Sequence, residues 1–180
     1  MKILAISGSL RVRSSNTELL RATALVAPAG WTFDFYDGLA GLPHFNPDLD
    51  AEGSTPPEPV RELRARIAAA DALLICSPEY AHGVAGSMKN ALDWLVSDAE
   101  MVGKPVGLLN ASARAVVAHA ALAETLRTMS TALVPAASIV VPLDGRRLDA
   151  AGIAAAPTLA AALRGALDAL AGSVEARSAR

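Results

Sequence analysis

Short runs of consecutive apolar residues alternate along this chain with stretches in which apolar residues recur every three or four positions. Residues 2–6 form the first run and read as a strand. Residues 17–26 place Leu19, Leu20, Thr23 and Val26 on one side of a helix. Residues 31–36 alternate Trp31, Phe33 and Phe35 against Thr32, Asp34 and Tyr36, which is strand period. A connection rich in Gly, Pro, Asp and Asn follows over 37–55. Thr55 is expected to cap the next helix, with prolines in its first turn and Glu58 at the capping-box position; Val60, Leu63 and Ile67 then face the core. Residues 72–76 are a short, fully apolar strand. Met88, Ala91, Leu92, Leu95 and Val96 fall on one helical stripe. A fourth strand is expected at 106–109, a helix at 116–133, a fifth strand at 138–141 and a last helix at 158–170, with a frayed tail over 175–180.

Strand and helix therefore alternate five times. Strands separated by helices pair in parallel through right-handed crossovers. The fold class is α/β: a flavodoxin-like three-layer sandwich around a five-stranded parallel sheet of order 2-1-3-4-5. Its switch point lies between strands 1 and 3, and ligands of such sheets sit at the carboxyl ends of the strands. The 180 residues suit one domain, taken as 1–174.

Composition narrows the function classes. A net charge of −2 with scattered basic residues, of which only Arg146 and Arg147 are adjacent, points to neither nucleic acid nor a membrane as partner. No stretch reaches the ~18 apolar residues of a membrane span, and the first apolar run falls short of a signal peptide. The cytoplasm is the expected location. The single cysteine, Cys76, lies within an apolar run and reads as a core residue. His44 and His119 have no metal-ligand spacing, so no metal site is expected.

Two polar loops follow strands 1 and 3. The first runs from Gly8 to Thr17. A helix start offers unpaired N–H groups and the positive end of the dipole, which favour phosphate. Ser9, Ser14, Ser15, Asn16 and Thr17 add neutral donors, and Arg11 adds a guanidinium suited to phosphate. The loop is neither a P-loop nor a Gly-x-Gly-x-x-Gly fingerprint, and it has no cysteine for thiolate chemistry. It reads as a cradle that holds a phosphate without cleaving it.

The second loop makes a resemblance specific. Gly8-Ser9-Leu10-Arg11 with Ser14 and Asn16, then Pro78-Glu79-Tyr80 with Gly83, Gly86, Lys89, Asn90, Ala91, Asp93 and Trp94 at their spacing, resembles the NADPH-dependent FMN reductase family over roughly residues 1–142. That family includes quinone, azo-dye and chromate reductases. The resemblance implies FMN as cofactor and NADPH (or NADH) as co-substrate. It implies that Ser9, Arg11, Ser14, Ser15 and Asn16 bind the FMN phosphate. Pro78, Glu79, Tyr80, Ala81, His82 and Gly83 would line the isoalloxazine, largely through backbone groups, and the loop from Asn110 to Arg114, with Ser112 at its centre, would close the ring's other edge. Gly83 and Gly86 are expected to allow a tight turn against the ring.

Individual positions keep two readings. Tyr80 covers an apolar edge or touches flavin; His82 is an exposed or capping histidine rather than a general acid. Lys89, Asn90 and Asp93 cap, pair across their helix or meet another subunit; Trp94 packs. Hydride transfer through flavin needs no protein nucleophile, so no catalytic side chain is expected. The resemblance implies a ping-pong oxidoreductase with a small-molecule electron acceptor (quinone, free flavin, azo compound or metal oxyanion), assembled as a homodimer or homotetramer. A flavodoxin-like electron carrier and a non-catalytic FMN-binding protein are the alternatives.

Overall fold

A computed structural model describes residues 1–179. The strands are β1 (Lys2–Ser7), β2 (Thr32–Tyr36), β3 (Ala72–Cys76), β4 (Glu79–Tyr80), β5 (Gly83–Val84), β6 (Pro105–Leu109) and β7 (Ala132–Leu133). The helices are α1 (Ser15–Leu25), α2 (Glu58–Ala68), α3 (Gly86–Asp93), α4 (Val116–Thr128), α5 (Ala150–Ala155) and α6 (Pro157–Ser178). Five strands form one parallel sheet in the order β2-β1-β3-β6-β7, and β4 and β5 form a separate hairpin. With the hairpin set aside, this is the expected order 2-1-3-4-5.

The central strands are apolar throughout because both faces of the sheet are covered. Every residue of β3 and of β6 is buried. On one face Leu63 and Ile67 of α2, Met88 and Leu92 of α3, and Leu122 and Leu126 of α4 pack on Leu4, Leu73 and Leu108. On the other, Leu19 and Leu20 of α1, Ile153 of α5, and Leu163, Leu167 and Leu170 of α6 pack on Ile3, Leu74 and Leu109.

Several boundaries differ from the pattern, each for a local reason. Thr55 does not cap α2. The residue before a proline is held extended, so Thr55, Pro56 and Pro57 run straight and Pro57 becomes the N-cap, with no side-chain bond. α3 stops at Asp93, leaving Val96 of the expected stripe exposed. The helix expected over 116–133 ends at Thr128. Ser130 adopts a left-handed φ of 59°, its N–H donates to Arg127 O at 2.8 Å, and Thr131 N–H donates to Leu126 O at 3.2 Å. That is a Schellman stop with serine where glycine is usual. The freed residues form β7, so the fifth strand lies at Ala132–Leu133 rather than at 138–141. Of the expected strand only one bridge remains, Val140 to Asn110. Ser138 Oγ takes the N–H of Leu108 instead of a ladder partner. α6 continues to Ser178, past the expected end at 170. The tail expected over 175–180 finishes at Arg180, outside the described residues.

Register sets the height of the loops above the sheet. Ser7 pairs with Cys76, and Cys76 with Leu109. The chain therefore leaves β1, β3 and β6 at one level, and the three following loops open onto common space.

Candidate active site

Gly8 joins the first two loops. Its N–H donates to Cys76 O at 2.9 Å, and a Cβ at this position would lie 2.3 Å from Ser77 Oγ. No other residue allows the two chains to approach so closely. The first loop then tightens through its own hydroxyls. Ser7 Oγ accepts from Ser9 N–H, and Ser9 Oγ accepts from Arg11 N–H, both at 3.4 Å. Thr17 and Ser7 share a hydroxyl hydrogen bond of 2.8 Å. Ser14 is buried as the N-cap of α1. The buried Cys76 thiol donates to Asn16 Oδ1 at 3.1 Å, which leaves the two amide N–H donors of Asn16 uncommitted to it. Burial pushes the Cys76 thiol up to about 12, so it acts as a donor and not as a thiolate.

The second loop is the β4–β5 hairpin. Its two turn residues, Ala81 and His82, have φ values of 50° and 57°. Two successive positive φ angles match the right-handed twist of a two-residue hairpin, but side chains other than Gly, Asn or Asp adopt them at a cost. Gly83 and Gly86 do not have positive φ. The tight turn thus falls on Ala81 and His82, not on the glycines expected to make it. Glu79 clamps the hairpin down. One carboxylate oxygen accepts Ala118 N–H at 2.9 Å; the other lies 3.1 Å from His82 Nδ1. Ala118 belongs to the first turn of α4, where N–H groups have no helical partner and a negative charge is favoured.

The third loop, Asn110 to Ala115, is held from both sides. Asn110 is buried; its side chain donates to Ala115 O at 2.9 Å and accepts Ser112 N–H at 3.0 Å. Asp144, from beyond the sheet, accepts Ser112 Oγ at 2.7 Å, Ala113 N–H at 3.0 Å and an Arg114 guanidinium N–H at 3.2 Å. The Ser112 hydroxyl, then the Ala113 N–H and Arg114, hold the Asp144 carboxyl below its usual range.

These loops enclose an open cleft of 830 Å³, within the range of small-molecule sites. Among the residues expected from sequence, Arg11, Ser15, Asn16, Pro78, Glu79, His82 and Ser112 line it. Ser9 and Thr17 instead line an adjoining 420 Å³ cavity toward β2, whose wall also includes Arg11. Tyr80 is exposed on the hairpin; it, Ala81 in the turn and Gly83 at the start of β5 lie outside both linings. Asn110, Arg114, Asp144, Arg146 and Arg147 line the cleft without having been singled out as ligands. Asn110 and Arg114 belong to the loop expected at the ring's other edge, Arg146-Arg147 stood out as the one adjacent basic pair, and Asp144 carried no signal. The helix-3 motif residues serve packing. Asn90 and Trp94 both donate to Pro43 O, and Asn90 Oδ1 accepts Phe45 N–H, which fixes the long connection before α2. Lys89 pairs with Asp93 on the same helix. Among the described residues no three His, Cys, Asp or Glu side chains gather as a metal site.

A cleft over the carboxyl ends of a flavodoxin-like sheet, with a helix start and hydroxyl donors at one end, defines a mononucleotide-binding α/β protein. The model of the NADPH-dependent FMN reductase family matches residues 1–145. The chain belongs to that family: it is an oxidoreductase whose cofactor is FMN and whose reductant is NAD(P)H. It is 35% identical over 158 residues to a 2-hydroxy-1,4-benzoquinone reductase of Burkholderia sp, covering 84% of each chain. It is 42% identical over 115 residues to an NAD(P)H-dependent FMN reductase of Pseudomonas aeruginosa, covering 63% of this chain and 60% of that protein. The FerB flavoenzyme NAD(P)H:(acceptor) oxidoreductase of Paracoccus denitrificans is similar in structure, with a TM-score of 0.74 at 27% identity over 97% of both chains.

The residues present suit FMN. The first turn of α1, the amide donors of Asn16 and the Arg11 guanidinium are donors of the kind a phosphate takes, and Arg11, Ser15 and Asn16 stand together on the cleft wall. Beside Pro78 the hairpin wall consists of Glu79 and His82, and the Glu79 carboxylate is engaged by the start of α4.

Proposed function

We propose that the protein passes reducing equivalents from NAD(P)H through bound FMN to a quinone or a similar two-electron acceptor. The carrying observation is the open cleft, whose lining runs from Arg11, Ser15 and Asn16 before and at the α1 start to Glu79 and His82 of the β4–β5 hairpin. The relatives' names support a quinone as acceptor. Free flavins, azo compounds and metal oxyanions belong to the same class, since each can enter an open cleft.

FMN, when bound, supplies the hydride chemistry. The chain's residues bind, orient and shield. Arg11, Ser15 and Asn16 hold the phosphate, with Ser9, Ser14 and Thr17 shaping the loop beneath. Pro78, Glu79 and His82 present the hairpin's edge to the ring, Tyr80, Ala81 and Gly83 complete the hairpin behind that edge, and Ser112 borders the opposite one. A rigid hairpin offers fixed backbone donors where reduced flavin gathers negative charge, at no reorganisation cost. We assign no catalytic side chain. NAD(P)H and the acceptor use the same cleft in turn, which is a ping-pong scheme. A homodimer or homotetramer in the cytoplasm, with no nucleic-acid or membrane partner, completes this reading. No helix among the described residues is long and apolar enough to cross a membrane.

The test is a visible titration with FMN, followed by NADPH without oxygen and then menadione. Bleaching of bound flavin within seconds and recovery of colour on adding the quinone are expected. Bound flavin that NADPH leaves yellow would transfer the protein to the electron-carrier or non-catalytic class.

A further inference from the structure

The charge on the cleft wall is at odds with the charge of the molecule. The chain carries a net −2, yet Arg11, Arg114, Arg146 and Arg147 all line the cleft against two carboxylates, Glu79 and Asp144. Both carboxylates are already engaged, Glu79 by the start of α4 and Asp144 by the loop after β6. Arg11 belongs to the phosphate end. Arg146 and Arg147 have no carboxylate within ion-pair distance among the described residues.

Their segment is anchored on both sides. Leu143 N–H donates to Ala111 O at 2.9 Å, and Arg146 N–H closes a turn on Leu143 O at 2.9 Å. Gly145 takes a φ of 72° at the third position of that turn, as a glycine there permits. Beyond it, Ala150 N–H donates to Glu18 at 2.8 Å, tying the far end to α1. The two guanidiniums are therefore carried on a wall pinned at Ala111, at Ser112 through Asp144, and at α1.

We propose that Arg146 and Arg147 make this cleft selective for quinones bearing an anionic substituent: an ionised ring hydroxyl, a carboxylate or a sulfonate. This rests on the quinone-reductase reading above and names the acceptor within it. A ring seated in the cleft brings such a substituent to the wall, where it meets two uncompensated guanidiniums that accept oxyanions in fork geometry. A neutral quinone gains nothing from them. The overall reaction is unchanged: NAD(P)H and one proton from water reduce the quinone to the hydroquinone, and the anionic substituent keeps its charge.

The experiment compares 1,4-naphthoquinone-2-sulfonate with 2-methyl-1,4-naphthoquinone as acceptors for the FMN-loaded protein. Taking the ratio of kcat/KM for the two in each protein cancels their difference in intrinsic reactivity between proteins. In the doubly substituted R146Q/R147Q protein that ratio should fall about fivefold, the size expected for exposed charges. In the native protein, added NaCl should lower it as well, because such contacts are screened. This salt arm needs no variant to fold. A ratio unmoved by both changes overturns the proposal. So does slower flavin bleaching by NADPH with kcat/KM unchanged for both quinones, which would assign the arginines to the dinucleotide's phosphates. Flavin that bleaches with NADPH while neither quinone reoxidises it defeats the proposal and leaves the FMN reductase intact. Failure to bleach at all defeats the functional reading itself.

Discussion

Three side chains around the cleft have consequences that can be measured one at a time. Cys76 is fully buried with its thiol raised to about 12, so iodoacetamide at pH 8 should leave the native protein unlabelled and label it in urea. Mass spectrometry reads the difference, and labelling of the folded protein would contradict the burial. Arg11 forms no ion pair among the described residues and lies in the loop that leads into α1. Arg11→Ala should weaken FMN binding by about 1.5 kcal/mol, the lower end for a charge-assisted hydrogen bond because the side chain is exposed. Fluorescence titration of FMN measures it. The Asp144 carboxyl is held below the usual carboxylate range, by the Ser112 hydroxyl first. Its native pKa lies below the unfolded one, so its contribution is present above about pH 4 and is lost as pH falls through the native value. Asp144→Asn should therefore flatten the acid limb of the stability profile below about pH 4 and leave its shape near neutrality unchanged. Urea melts at several pH values test this.

At the scale of elements, the left-handed residues are the informative ones. Ser130 pays for a positive φ at the C-terminus of α4 while its N–H and that of Thr131 complete the stop. Glycine meets the same geometry without a Cβ clash, so Ser130→Gly should stabilise by roughly 0.5–1 kcal/mol. For a chain of this size that is about 1–4 °C in Tm. Calorimetry would show it, and an unchanged or lower Tm would contradict the Schellman assignment. The hairpin carries the same kind of strain at two residues together, Ala81 and His82, and there the strain borders the cleft. Strain of this sort persists only where surrounding contacts over-determine it. Glu79 supplies such a contact through the α4 N-terminus. The β4–β5 wall is thus tied to the start of a long helix, although only two residues of each strand pair.

On the scale of the whole molecule, the family model stops at residue 145, but the core does not. Ile153 of α5 and Leu163, Leu167 and Leu170 of α6 are each at most 1% exposed, and they cover one entire face of the sheet with α1. Burying each is worth about 1.5–3 kcal/mol, so four together rival the roughly 5–15 kcal/mol by which a domain is stable. A chain ending at residue 148 should therefore lose cooperative unfolding and its FMN affinity together, as circular dichroism and FMN titration would reveal. A truncated protein that still melts sharply would mean the residues after 148 are an appendage and not part of a single domain.

The sequence alone determined the layers and their order, because burial on both faces of a parallel sheet writes itself as unbroken apolar runs such as 72–76, and helices packed on it as stripes such as Val60, Leu63 and Ile67. It also placed the phosphate-type loop after the first strand and the second loop after the third, since the topology alone puts those strands side by side. Tertiary structure decided what depends on contacts between distant residues. The end of α4 rests on a serine in a glycine-like conformation, which no residue pattern announces. The fifth strand follows from that stop and from Ser138 substituting for a ladder partner. Glu79 turns toward Ala118, and Asp144 reaches the loop after β6, through hydrogen bonds across 39 and 30–32 residues. The Arg146-Arg147 pair was visible as two letters in the chain; its place on the cleft wall comes only from the turn at Gly145 and the anchors on either side of it.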